Sequence, residues 1–360
     1  MIFKVYQNYI SKQFLLTFVK TVFIFFTLAF ILNIFEEINF FKDIDVSIGL
    51  PIFLTFLNIP SILFEIFPFI FLITTQFFFL KLIEQNENIS FKNFGLSNSK
   101  IIKLLAILSF LIGVIIVTIF YNLSSNLKHS YLNIKNSYAK DNKYLAVITE
   151  NGIWIKDSKD GITSIINAED LKGNILNNVD IVQFDEEFNF IQNISTNKIN
   201  IANKIWKSES VLLNDEKKSN QRINGFQLNT NINIKDINSL FSNLTSLSIF
   251  ELNDLKNKYD DINYSSIEVD SAIQKIVSFP FYLMLMTILS STIMMNIDQN
   301  RTKIFHLIFG ILISVIIYYL SFFFEELGKN EQVPIVVSIW IPLLMIGIVS
   351  MINLVRINEK

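Results

Sequence analysis

The residues best suited to chemistry are few. Cysteine is absent from the 360 residues, and there are two histidines, His129 and His306. Thiolate chemistry, disulfides and cysteine metal sites are thereby excluded. The histidines lie too far apart in sequence to form a ligand pair by spacing, and neither has an obvious carboxylate partner. A lone histidine in such a place is more often structural. Gly328-Lys329 lacks the upstream glycine of a phosphate-binding G-x-x-x-x-G-K-[ST] loop, so a nucleotide cradle of that kind is missing. Neither a G-x-S-x-G elbow nor an H-E-x-x-H helix occurs. The expectation is a protein that is not an enzyme and uses no cofactor or metal; ATP hydrolysis, if it powers the protein, belongs to another chain.

What remains is charge placed in or beside strongly apolar runs, where it is expensive. Glu36 and Glu37 close the first run. Glu65 lies between Pro60 and Pro68 in "NIPSILFEIFPF". At an interface it is merely solvated; facing a cavity it is a contact point, and both readings stand. Lys20, about two turns inside the first run, reads as a side chain that snorkels to the headgroups. Lys275, five residues before Pro280, either holds an anionic headgroup or anchors its helix at the interface. The 36 phenylalanines serve as bulk lipid-facing surface or as lining for acyl chains.

The elements that carry these residues follow from hydropathy. Hydrophobic residues make up 51% of the chain, charged residues 17%, and the mean hydropathy is +0.43. That is more apolar than a soluble domain of this size usually is. The net charge of -2 carries no nucleic-acid signal. Apolar runs of about 20 residues read as membrane helices. Six are present, at roughly 14–35, 52–82, 101–121, 273–296, 303–324 and 336–355. The first begins too far into the chain, and ends with too many acids, to be a cleaved leader. The second is too long for one straight crossing, because thirty helical residues extend about 45 Å against about 30 Å of hydrocarbon. Pro51, Pro60 and Pro68 punctuate it and predict tilt, a kink or an interfacial first section.

Lysine and arginine in the short loops set the orientation. One side carries Lys4, Lys12, Lys81, Lys92, Lys100, Lys103, Arg301, Lys303, Arg356 and Lys360; the other offers Lys42 and Lys329. This places both termini in the cytoplasm. The polar segment from about 122 to 270 is then outside. Its alternation in "GIWIKDSKDGITSII", with turns at Asn151-Gly152 and Asp160-Gly161, reads as short strands of a sandwich or jelly roll. "SIFELNDLKNKYDDINYSSIEVDSAIQK" reads as a helical return to the membrane. The predicted domains are 1–121 with three membrane helices, 122–270 with the external β domain, and 271–360 with three more helices.

"NENISFKNFGLS", residues 86–97, interrupts the second and third runs on the cytoplasmic side. Read as a helix, Ile89, Phe91 and Phe94 give it an apolar edge, opposite Glu87, Ser90 and Lys92. Gly95 stops it, and Ser97 can cap the next helix. Such a helix either lies in the headgroups or projects into a groove on a cytoplasmic partner.

Several stretches together resemble one family, the LptF/LptG permeases of the lipopolysaccharide exporter. They are "VYQNYISKQFL", "NIPSILFEIFPFIFLIT", "NENISFKNFGLSNSKI", "NGIWIKD", "QKIVSFPF", "GILISVIIYYL" and "QVPIVVSIWIP", in this order along nearly the whole chain. The resemblance implies a polytopic α-helical membrane protein of six transmembrane helices, with a periplasmic β-jelly-roll domain inserted between helices 3 and 4. It implies residence in the bacterial inner membrane, both termini cytoplasmic. It further implies pairing with a paralogous LptF-like permease, docking of a cytoplasmic LptB ATPase dimer, and hand-over of lipopolysaccharide to the jelly-roll proteins LptC and LptA. "VYQNYISKQFL" and "NGIWIKD" lean toward LptG rather than LptF.

The resemblance makes residues about 84–97 the coupling helix, with Glu87, Ile89, Phe91, Phe94, Gly95 and Ser97 facing the ATPase. Phe30, Asn33, Glu36, Glu65, Lys275 and Ile313 are the expected lipid contacts. Two positions depart from the family. Asn33 stands where LptG-like members often carry a lysine near the outer end of the first helix, and an amide holds phosphate less strongly than an ammonium does. Phe94 stands where a small residue is frequent. Two other classes remain as alternatives: a non-transporting membrane scaffold or mechanotransmission protein coupled to an ATPase, and a membrane enzyme acting on a lipid-linked sugar. Photocrosslinking to lipid separates the first from a transporter. The second requires an essential acid or histidine, and the sequence nominates none.

Overall fold

The computed structural model describes residues 5–138, 153–159, 161–172, 174–215, 218–230, 243–261, 265–295 and 303–358. Lys4, Asn151-Gly152, Asp160, Arg301 and Lys360, used above for orientation and turns, lie outside these residues. The chain divides into two compact units, Met1–Tyr131 with Ile267–Lys360, and Leu132–Ser266.

The first unit is helical. Its elements are α1 (Val5–Phe40), α2 (Gly49–Glu84), a short α3 (Glu87–Asn93), and α4 (Asn98–Ile115), which passes through a π-helical turn (Ile116–Phe120) into α5 (Tyr121–Tyr138), whose residues after Tyr131 belong to the second unit. After the other unit come α7 (Ile267–Met295), α8 (Lys303–Lys329) and α9 (Ile335–Asn358). Among the described residues, six helices are long and apolar enough to cross a membrane. They outrun the apolar stretches that predicted them: the first begins at Val5 rather than 14, and the third does not stop at 121 but continues to Tyr138. Hydropathy marks only the length embedded in lipid. The hydrogen-bond ladder runs on through polar sequence as long as each residue tolerates helix. Pro60 and Pro68 both sit inside the single helix α2, and Pro51 falls in its first turn, where a missing N–H costs nothing.

The helices divide by position. The most apolar stretches of α2 and α7 are 61% and 67% buried, whereas those of α1 and α8 are 11% and 17% buried. In lipid, apolar burial does not drive helices together, so small residues and interhelical hydrogen bonds must. At Gly113 of α4, an added Cβ would lie 2.8 Å from the Cα of Pro280 in α7. One turn earlier, Ser109 and Thr287 join their hydroxyls at 2.8 Å across the same pair of helices. Ser290 of α7 donates to the Leu72 carbonyl of α2 at 2.8 Å. Phe14, Phe71, Phe78, Phe79 and Leu283 fill the core between α1, α2 and α7.

The described residues of the second unit hold six strands: β1 (Ile153–Lys159), β2 (Ile162–Lys172), β3 (Ile175–Phe184), β4 (Phe190–Asn200), β5 (Ile205–Asp215) and β6 (Lys218–Asn229). They form one antiparallel sheet in sequential order, followed by α6 (Ile249–Asp261). This is the inserted β domain that the alternation predicts. Register explains its core: Ile155, Ile166, Ile181, Ile194 and Leu213 stand opposite one another in a row across five strands. Period-2 side-chain alternation adds Val179 to this row, while Ile199 and Trp206, an odd number of residues from Ile194 and Leu213, join the same buried cluster across a break in the alternation. Gly161, with φ +77°, closes the β1–β2 turn in the left-handed region that glycine favours.

The β3–β4 turn is held by one carboxylate. Asp185 accepts from the Asn189 amide N–H at 2.8 Å, the Asn189 side chain at 3.1 Å and the Glu187 N–H at 2.9 Å. The Asn189 side-chain and backbone bonds hold its pKa below the ordinary aspartate range. A depressed folded pKa means that the contribution is present above the unfolded value and lost as pH falls through the folded one. The protection factors of the Glu187 and Asn189 amides, taken against the intrinsic exchange rate at each pH, are therefore expected to be high at neutral pH and to fall under acid conditions. Asp185→Ala should show low protection factors at both amides at every pH; pH-independent protection in the parent chain would contradict this.

Candidate functional site

The interruption between α2 and α4 is built from two left-handed residues. Asn86, with φ +56°, ends α2, a conformation that asparagine tolerates better than most residues. Gly95, with φ +76°, ends α3. The Leu96 N–H reaches back to the Phe91 carbonyl at 3.0 Å, the six-to-one bond of a Schellman cap. Among the described residues, nothing lies within 4 Å of a Cβ built at position 95, so backbone hand calls for glycine there. Ser97 occupies the N-cap of α4 in extended conformation, yet its side chain makes no capping bond; its carbonyl accepts from Lys100 N–H at 3.0 Å.

The expected apolar edge of α3 divides in two. Phe91 is half-buried and packs its ring edge against Tyr9 of α1, with centroids 6.4 Å apart. Ile89 and Phe94 face outward, 54% and 85% exposed. Ile89 is two residues from both Glu87 and Phe91, a spacing that puts it on the opposite side of a helix. Phe94 shares their face by helical spacing, but α3 ends at Asn93, and the turn releases it. Glu87 also turns inward. Its Oε1 accepts from the Tyr9 hydroxyl at 2.6 Å. Its Oε2 is buried and has no hydrogen-bond partner among the described residues. One turn along α1, Gln13 accepts from Lys81 of α2 at 2.8 Å, so α1, α2 and α3 are joined at this end.

A second polar group lies at the opposite end of the bundle. Glu325 of α8, 7% exposed, pairs with Lys275 of α7 at 2.5 Å and with Lys329 at 2.9 Å. Ser271 donates to it at 3.3 Å, and Lys329 also reaches Glu326 at 3.2 Å. The expected phosphate ligand Lys275 is thus already partnered, which offsets the cost of its partner's burial. Glu65 is exposed and lies within electrostatic reach of Lys128 and Lys275. Lys128 donates to Asn58 at 2.5 Å and sits 4.8 Å over the Tyr131 ring. The Tyr131 hydroxyl donates to the buried Glu37 at 2.8 Å.

The remaining lipid-contact candidates lie elsewhere. Phe30 of α1 stacks obliquely on Phe56 of α2 at 5.1 Å. Asn33 is buried, with a long 3.4 Å bond to the exposed Glu36. Ile313 lines a groove of about 650 Å³ between α7, α8 and α9, together with Phe309, Ile316 and Met345. The six therefore occupy separate places: three on α1, Glu65 on α2, Lys275 on α7 beside Glu325, and Ile313 on α8.

Sequence reading missed Tyr9, Glu325 and Gln76. The first two had a signal, since Tyr9 and Gln13 are one turn apart, as are Glu325 and Lys329. Gln76 is a lone amide in "FLITTQFFFL" that donates to the His306 and Leu307 carbonyls of α8 at 3.1 and 3.3 Å. Gly310 makes room for it, because a Cβ there would come within 2.0 Å of its nitrogen.

Among curated proteins, none matches the chain. The family model described as lipopolysaccharide export system permease LptF/LptG matches residues 8–356. That match spans all six apolar helices and the sheet between the third and the fourth. The chain therefore belongs to the LptF/LptG family of lipopolysaccharide export system permeases.

Proposed function

We propose that this permease is the LptG-like half of a transporter that extracts lipopolysaccharide from the outer leaflet of the inner membrane. Both termini and α3 face the cytoplasm, and the segment 122–270 is periplasmic. The ten-to-two distribution of lysine and arginine supports that orientation. A paralogous permease pairs with it, and two LptB ATPase chains dock on the α3 segments. The periplasmic domain passes the lipid to LptC and LptA.

The observation that carries this reading is the exposure of α1 and α8. They flank the bundle and leave Phe23, Leu32 and Phe35, and Leu312, Ile316 and Tyr319, uncovered. In a membrane these faces meet either lipid or a second permease, as a lateral entrance between opposing subunits requires. Buried Gln76 ties α8 to α2, while the Glu325 cluster ties its far end to α7.

A photocrosslinking residue at Leu32 or Tyr319, in the permease complex purified from lipopolysaccharide-containing membranes, is expected to capture lipopolysaccharide. Capture should fall when the ATPase turns over. Labelling of phospholipid alone, unchanged by ATP, would favour a non-transporting scaffold instead.

A further inference from the structure

The docking segment and the first membrane helix are joined by contacts that an ATPase-facing role for Glu87 does not require. Tyr9 meets α3 twice: its hydroxyl donates to Glu87 Oε1 at 2.6 Å, and its ring takes the edge of Phe91. The Glu87–Phe91 spacing of four residues stacks both partners on the α3 face that looks at α1. With Oε1 on Tyr9 and Oε2 buried, the carboxylate offers no oxygen outward. The outward face consists of Ile89 and Phe94.

We infer that Tyr9 is a positioning residue that fixes α3 to α1, so that displacement of α3 by a docked ATPase is carried directly into α1. The inference rests on the reading above that α3 docks an ATPase. In it, Ile89 and Phe94 receive the partner, and Glu87 acts inside the permease as the bolt between two helices. A hydroxyl-to-carboxylate bond suits that task. It is charge-assisted, short and directional, and so resists relative sliding more than apolar contact alone. The Lys81–Gln13 bond one turn further along α1 opposes rotation about that single bolt.

Tyr9→Phe keeps the ring against Phe91 and removes the hydroxyl. In the reconstituted permease–ATPase complex, the variant is expected to retain the ATPase and to hydrolyse ATP at the parent rate. Lipopolysaccharide released per ATP should fall about tenfold, the scale on which a hydrogen bond to a charged group contributes. Glu87→Met should show the same loss, and the double variant no more than either alone, because both remove one bond. The chain has no native cysteine. Cysteines introduced at 9 and 87 can therefore be bridged by a short bis-maleimide without competing cysteines in this chain. Replacing both residues by cysteine removes the bond and should itself lower release per ATP; bridging should restore it, since the link again makes the two positions move together.

Two results overturn the inference while leaving docking intact. One is parent-level release per ATP by Tyr9→Phe with the ATPase bound. The other is failure of bridging to raise release per ATP above that of the unbridged cysteine pair while hydrolysis continues. If the parent chain holds no ATPase, the docking reading itself fails and the inference falls with it.

Discussion

Gly113→Leu is expected to separate α4 from α7 and to cost about 3 kcal/mol or more of bundle stability, at the top of the range for overpacked sites. The reason is which atom lies opposite. A Cβ at 113 stands 2.8 Å from the Pro280 Cα and 3.2 Å from its Cβ. The first contact is backbone, so no rotamer change can relieve it, and the whole of α7 must retreat. Retreat opens the Ser109–Thr287 bond, worth about 0.6 kcal/mol on average inside a membrane. It also disturbs the stacked pair Phe64–Phe279, whose centroids are 4.4 Å apart beside Pro280. Gly113→Ala makes the same backbone contact with less bulk, partly offset by the roughly 1 kcal/mol that alanine gains over glycine in a helix. The expected order in a detergent unfolding titration is parent, then alanine, then leucine, with the leucine midpoint far below the other two. A leucine midpoint equal to the parent's would show that α4 and α7 do not cross at this point in the membrane.

That crossing also marks where sequence stops being legible. Six apolar runs, the inserted β segment and its alternation follow from counting residues, because lipid and a half-buried sheet impose periods that composition must obey. Gly113 carries no such mark. A glycine in "AILSFLIGVII" is ordinary in a membrane helix, and only the approach of Pro280, more than 160 residues later, gives it a role. The polar residues behave likewise. Lys275 was legible as a charge at an interface, but its partner Glu325 comes from a helix whose neighbours no periodicity specifies. Glu37 adjoins Glu36 in sequence and differs from it entirely in surroundings, one buried against Tyr131 and the other exposed. Rotation of a helix about its axis is set by packing, which hydropathy does not encode. For the same reason the interruption at 86–97 was visible, whereas the inward turn of Glu87 and Phe91 was not.

Phe94→Asp tests the outward half of that interruption. Phe94 is 85% exposed, follows the last turn of α3 and precedes Gly95, and Ile89 stands out beside it at 54%. An aspartate there should leave the permease's own stability within about 0.5 kcal/mol, as for most surface changes. At a docked interface the same aromatic is of the kind that carries 2 kcal/mol or more when truncated, and a buried unpaired carboxylate adds to the penalty. Retention of the ATPase through affinity purification is therefore expected to fall about thirtyfold or more, with the permease's elution volume and unfolding midpoint unchanged. Ile89→Asp should act in the same direction. Phe91→Ala should act differently, loosening α3 from Tyr9 and so lowering transport per ATP before it lowers retention. If α3 instead lies in the headgroups, Phe94→Asp weakens its hold on the membrane surface and the ATPase stays bound at the parent level. Retention thus separates a docking helix from an interfacial one, by a substitution at a side chain whose exposed ring the rest of the permease does not need.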